Sequence, residues 1–95
     1  MTMHVIAKRT LRQFWAANPE AEMPLTRWHT QMVKGRFNSY AELKAAFASA
    51  DWVNGFIVFD IGGNKYRLIV DVVFASQTVF VKQVLTHKEY DRWKP

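Results

Sequence analysis

The sequence predicts an α+β fold of two layers, with helices packed on one face of an antiparallel sheet and a short helix at the C-terminal end. Three observations predict it. Apolar residues recur at helical spacing through the first half of the 95-residue chain. They alternate along the second half, and short turn signals separate the alternating runs.

The elements follow in order. Met3 to Ile6 is a short β-branched run able to pair with a later strand. Residues 8–17 carry Leu11, Phe14 and Trp15 on one side and Lys8, Arg9 and Arg12 on the other, an amphipathic helix stopped near Pro19. Leu25, Trp28 and Met32 mark a second helix ending at Gly35. Pro19 and Pro24 both suit its first turn, where Glu20 and Glu22 meet the positive end of the dipole. Ser39-x-x-Glu42 is a capping box that starts a third helix presenting Leu43 and Phe47. Beyond Asp51 the period changes. Asn54-Gly55 between apolar flanks is a hairpin turn, followed by a strand over Phe56 to Ile61. Gly62-Gly63-Asn64 makes a second turn. From Lys65 to Phe74, the residues Tyr66, Leu68, Val70, Val72 and Phe74 face one way, and Lys65, Arg67, Ile69, Asp71 and Val73 the other. Ala75-Ser76-Gln77 is a third turn and Thr78 to Leu85 the last strand. Thr86-x-x-Glu89 is a second capping box, so a short helix starts where this strand ends.

Composition narrows the chemistry. The chain has no cysteine, which excludes disulfide scaffolds, cysteine-ligated metals and thiol nucleophiles. No His, Asp or Glu residues gather at metal-ligand spacing, so no metal and no cofactor is expected. Apolar runs reach about four residues, against the roughly 20 that cross a bilayer. The opening residues do not read as a signal peptide. A single domain over residues 1–95 in the cytoplasm, with no membrane partner, is the expectation. Thirteen Lys and Arg against eight Asp and Glu give a net charge of +5, which suits a polyanionic partner. The basic residues are spread over several elements, so any patch is assembled by folding.

The candidates for chemistry gather near the C-terminus. In the first turn of the last helix, His87 and Tyr90 lie three residues apart on one face, with Lys88 beside His87. Lys82, Val84 and Thr86 share one side of the preceding strand under simple alternation. An antiparallel register can bring Arg67 beside Lys82. An imidazole moves protons near neutral pH, Arg and Lys hold a phosphate and its developing charge, and a Tyr ring stacks on a base. Together these are the parts for metal-independent RNA cleavage, in which the ribose 2′-OH attacks the adjacent phosphodiester. Structural alternatives exist for each: His87 facing water, Trp93 and Tyr90 docking the last helix, Lys82 pairing with Asp60 or Asp71, and Arg67 pairing with Asp71.

The run Gly62-Gly63-Asn64-Lys65-Tyr66-Arg67-Leu68, followed by Thr86-His87-Lys88-Glu89-Tyr90-Asp91, resembles the HigB family. These are RelE-like toxins of type II toxin–antitoxin systems. The resemblance extends to the Lys34-Gly35-x-Phe37 and Leu43-Lys44-x-x-Phe47 segments. It implies a RelE-like α+β mRNA interferase that cuts mRNA engaged on the ribosome. It also implies a HigA-like helix-turn-helix antitoxin, through which alone the protein would meet DNA. By position, Arg67 matches the strand arginine that holds the scissile phosphate, and His87, Lys88, Tyr90 and Asp91 match the terminal motif. His87 is the first candidate for proton transfer, and Lys65 and Lys82 are candidate phosphate contacts. Residues 54–61 contain no Lys or Arg, where the RelE branch has lysines in acid–base roles. The general base therefore stays open among His87, Lys88 and Tyr90. Two other functions compete with a ribosome-dependent endoribonuclease: a non-catalytic RNA- or ribosome-binding module acting through its basic face, and a DNA-binding accessory subunit.

Overall fold

A computed structural model describes residues 3–6 and 8–94. Met1 and Thr2, part of the stretch inspected for a signal peptide, lie outside the described residues. The order is β1 (His4–Ile6), α1 (Lys8–Ala17), a 3-10 turn (Pro19–Ala21), α2 (Glu22–Lys34), α3 (Tyr40–Ala46), β2 (Asp51–Val53), β3 (Phe56–Ile61), β4 (Tyr66–Val73), a second 3-10 turn (Phe74–Ser76), β5 (Thr78–Thr86) and α4 (His87–Tyr90). The helices α1 to α3 lie against one face of a five-stranded sheet ordered β1-β5-β4-β3-β2, and α4 closes the end of β5, the expected α+β arrangement.

The sheet is mixed rather than wholly antiparallel. β2 to β5 form the expected meander, but His4–Ile6 runs parallel to Thr78–Phe80. A parallel pair needs a long crossover, and the three helices between β1 and β2 supply it. Because β1 is so short, β5 beyond Phe80 has β4 alone as its strand neighbour.

The core lies between helices and sheet. Leu11, Leu25, Trp28, Met32 and Leu43 from the helices meet Ile57, Phe59, Leu68, Val70, Val79, Val81 and Val84 from the strands. Edge-to-face aromatic pairs fill its middle: Trp28 on Phe59 at 5.5 Å, and Phe47 on Phe59 at 5.2 Å between ring centroids. The box at Thr86 closes as expected, whereas the one at Ser39 forms only in half, because the Glu42 carboxylate accepts from the Asn38 N–H instead of the Ser39 N–H. Ser39 Oγ accepts from the Glu42 N–H, and Thr86 and Glu89 close a reciprocal box.

Two local features depart from simple alternation. The β4–β5 register jumps from Ile69↔Gln83 to Val70↔Val81, so Lys82 has no partner across the pair. This bulge resets the alternation of β5. Val81 and Val84 both reach the core, and Lys82 stands on the opposite face from Val84, not on the same side as simple alternation expects. Gln77 adopts a left-handed backbone, φ 53°, at the β4–β5 connection. Its buried amide accepts from the Phe37 N–H and donates to the Phe37 and Phe74 carbonyls. One side chain thus ties the loop after α2 to the turn before β5.

Candidate active site

The outer face of the sheet, away from α1–α3, carries Val58 and Asp60 on β3 and Arg67, Ile69 and Asp71 on β4. Arg67 is opposite Asp60 on one side and Leu85 on the other. Its register therefore places it beside neither Lys82 nor Asp71. Lys82 lies further along β5, where its ammonium stands 5.7 Å over the Phe80 ring.

Arg67 is 8% exposed, and every nitrogen of its guanidinium is engaged. Nε pairs with Asp60 Oδ1 at 3.1 Å. Nη1 donates to the carbonyls of Asn64 and Tyr66 at 3.3 and 3.2 Å. Nη2 donates to Asn64 Oδ1 at 2.6 Å and lies 3.5 Å from His87 Nδ1. The Tyr90 ring covers the group, with its centroid 5.6 Å from Cζ. A buried cation this well partnered has a single orientation, and the His87 end is where it meets the exposed surface.

The strand end and α4 hold His87 in place. The His87 N–H donates to the Lys65 carbonyl at 2.9 Å, tying the first residue of α4 to the start of β4. The capping box fixes the adjoining turn: Glu89 N–H donates to Thr86 Oγ1 at 3.2 Å, and Thr86 N–H donates to Glu89 Oε1 at 2.9 Å. The exposed imidazole turns Nδ1 toward Arg67. Nε2 is then the ring nitrogen left for a substrate oxygen to meet.

The fold brings Arg67, His87 and Tyr90 together. Lys88 and Asp91 are exposed on α4 and at its end, near the cluster in sequence but outside its hydrogen bonds. Lys82 is on the same outer face, further along β5. Lys65 is drawn elsewhere: its ammonium is 3.1 Å from Glu20 of the first 3-10 turn. The hydrogen bond that Lys65 donates to Glu20, and then the charge of Glu20, raise the Lys65 pKa above its ordinary value. No group of three His, Asp or Glu side chains fit to hold a metal occurs among the described residues.

Asp60 and Asn64 were missed from sequence as parts of this site. The signal for Asp60 was a lone acid inside the otherwise apolar run Phe56–Ile61, which asks for a buried partner. Asn64 read as a turn residue, and it is one, but its side chain also reaches back to the strand it introduces.

The family model for HigB toxins, described as the RelE-like toxic component of a toxin–antitoxin system, matches residues 21–93. The chain is 35% identical over 92 residues to a protein from Escherichia coli named mRNA interferase toxin HigB, covering 94% of this chain and 88% of that protein. An mRNA interferase HigB from Shigella flexneri shows the same identity and coverage. A further Escherichia coli protein named mRNA interferase HigB is 29% identical over 93 residues, 95% of this chain and 90% of its own. The family match takes in both Arg67 and the whole of α4, and the chain belongs to the HigB family of RelE-like toxins.

Proposed function

We propose that this protein is the toxin of a type II toxin–antitoxin system and an endoribonuclease that cleaves mRNA. Family membership and relatives named as mRNA interferases support the reading. The observation that carries it to particular atoms is the contact between Arg67 Nη2 and His87 Nδ1 under the Tyr90 ring. In the proposed reaction a base removes the proton of a ribose 2′-OH, whose oxygen attacks the adjacent phosphorus. The P–O5′ bond breaks, the leaving oxygen takes a proton, and the products are a 2′,3′-cyclic phosphate and a 5′-hydroxyl. Arg67 neutralises the charge on the phosphorane, and His87 in its imidazolium form gives its Nε2 proton to the leaving oxygen and becomes a neutral ring. Tyr90, its ring held between Arg67 and Trp93, offers the substrate its hydroxyl. The base is one of His87, Lys88 and Tyr90, and Lys65, Lys82 and Asp91 contact the RNA backbone and bases. The chemistry needs no metal or cofactor.

The whole chain, residues 1–95, works in this reading as one cytoplasmic domain of a bacterium. No helix among the described residues is long and apolar enough to cross a membrane. The sparse acid–base set supports ribosome dependence, since the ribosome can bend the RNA into line. Lys8, Arg9 and Arg12, exposed on α1 with no ion pair among the described residues, suit contact with ribosomal RNA. A HigA-like helix-turn-helix antitoxin would neutralise the toxin and provide its one link to DNA.

The test compares purified protein on free mRNA and on programmed ribosomes, with His87→Ala, Arg67→Ala and Tyr90→Ala alongside. Cleavage on ribosomes that the three substitutions weaken supports the reading. Undiminished cleavage in all three removes the residue assignment. Equal rates on both substrates remove ribosome dependence.

A further inference from the structure

On the outer face, one strand pair along from Arg67, an open cleft of about 450 Å³ is lined by Phe56, Ile69, Lys82, Gln83, Trp93 and Lys94. Its size is within the roughly 300–1,000 Å³ of pockets that hold small organic ligands. Its chemistry is sorted. The apolar floor is Ile69, which is wholly buried even though it faces away from the main core. Two aromatic rings form a wall, Phe56 and Trp93 meeting edge-to-face at 6.0 Å. Lys82 and Lys94 stand on an exposed rim, and neither has an ion-pair partner among the described residues. The Gln83 amide supplies both a donor and an acceptor.

The cleft is physically continuous with the cluster around His87. Trp93 stacks on Tyr90 with ring planes 23° apart and centroids at 5.7 Å, and Tyr90 in turn covers Arg67. Arg67 and Ile69 are two residues apart on β4, about 7 Å along the strand, within the span of one nucleotide unit. The β-bulge gives the arrangement its cation. Under unbroken alternation Lys82 would share the core side with Val84, and the extra residue turns it outward to the rim.

We propose that this cleft is a binding subsite for the nucleobase next to the scissile phosphate, with the base against Trp93 and Phe56 and its backbone phosphate on Lys82. The inference rests on the nuclease reading above and adds the residues that select the neighbouring nucleotide. An aromatic wall offers any base a stacking surface. The Gln83 amide reads the base edge. The two lysines favour a polyanion over a neutral apolar ligand.

The test is a binding titration that does not depend on cleavage. ¹⁵N-labelled protein is titrated with 2′-O-methylated trinucleotides, which cannot form the attacking 2′-oxyanion. Shifts gathered at the amides of Phe56, Ile69, Lys82 and Gln83 and at the Trp93 indole N–H support the subsite. Lys82→Gln and Trp93→Ala are each expected to weaken binding by roughly tenfold. Lys82→Gln changes an exposed rim residue and serves where Trp93→Ala disturbs the docking of α4. No perturbation, perturbation confined to α1, or unchanged affinity in both variants overturns the proposal. Failure of the nuclease reading is seen separately, as wild-type protein that leaves mRNA on ribosomes uncut. Mapping cut sites then shows whether the cleft sets preference: Lys82→Gln and Trp93→Ala are expected to flatten the distribution of bases beside the cut, and an unaltered distribution counts against the subsite.

Discussion

Arg67 and Asp60 face each other across the β3–β4 pairing, with Nε 3.1 Å from Oδ1. The side chain of Arg67 is nearly buried and that of Asp60 is about one-third exposed, so the pair is screened on one side only. The carboxylate does two things at once. It neutralises a cation that burial would otherwise penalise, and it fixes the plane of the guanidinium so that Nη2 points to His87. The cost is that Asp60 competes with any phosphate for the same cation. A phosphate reaching this cation would meet it from the His87 side, where the contact at 3.5 Å is the longest that Arg67 makes.

Replacing Asp60 with Asn keeps an acceptor and removes the charge. A loss of about 1–2 kcal/mol is expected for this half-screened pair, seen as a fall in Tm of roughly 5–10 °C for a domain of this size. Cleavage is expected to fall along with it, because the guanidinium gains orientations that do not face His87. Thermal unfolding and single-turnover cleavage measured on the same sample check the two effects. A destabilised variant with full cleavage at low temperature would show that Asp60 does not orient the site.

Arg67→Lys is expected to behave as a severe change. An ammonium on a single stem cannot contact Asp60, Asn64, the Tyr66 carbonyl and His87 together. Loss of one preorganised donor to a developing oxyanion costs roughly 10²–10³-fold in rate, and a drop of that order is expected in cleavage on ribosomes. Growth arrest on induction provides the cellular reading. Retention of more than a tenth of the wild-type rate would place Arg67 outside the reacting centre.

Gln77→Ala acts on the fold and spares the site. The amide meets both polar groups of the Phe37 backbone and the Phe74 carbonyl, and truncation leaves buried groups without partners. About 2–4 kcal/mol of lost stability is expected in urea unfolding, with cleavage unchanged wherever the variant remains folded. Gln77→Gly separates the two contributions of the residue: it removes the same bonds but relieves the left-handed backbone, so it should be destabilised less than Gln77→Ala.

Much of this molecule was legible because local rules and the global fold agree. Leu11, Leu25, Trp28 and Leu43 all reach the core their spacing assigned them, and Asn54-Gly55 turns a hairpin with both residues at positive φ. The Arg67–His87–Tyr90 grouping was legible in part, because a capping box pins His87 to the end of a strand next to β4. What could not be read depended on pairings distant in sequence. The parallel partner of β1 is chosen by where the helices return the chain, and Asp60 meets Arg67 through a register that no single strand encodes. The bulge at Lys82 reverses the inside–outside assignment that simple alternation makes. Gln77 looked like an ordinary turn residue, and its bonds to Phe37, 40 residues away, leave no local trace.

The last expectation concerns pH. His29 lies on α2, and its pKa is lowered, first by burial and then by the positive charge of Lys8. The sign follows from linkage. Between the lowered folded value and the ordinary value near 6.5, the unfolded chain binds more protons than the folded one, so stability rises with pH through that window. Read in the other direction, the contribution of neutral His29 is complete above pH ~6.5 and is lost as pH falls toward the folded value. Urea midpoints measured from pH 7.5 down to 5 are expected to decline for the wild type. His29→Gln, which cannot charge, should flatten that decline, and Lys8→Met should reduce it by a smaller amount because burial is the larger cause. Parallel curves for wild type and His29→Gln would assign the pH dependence to another group.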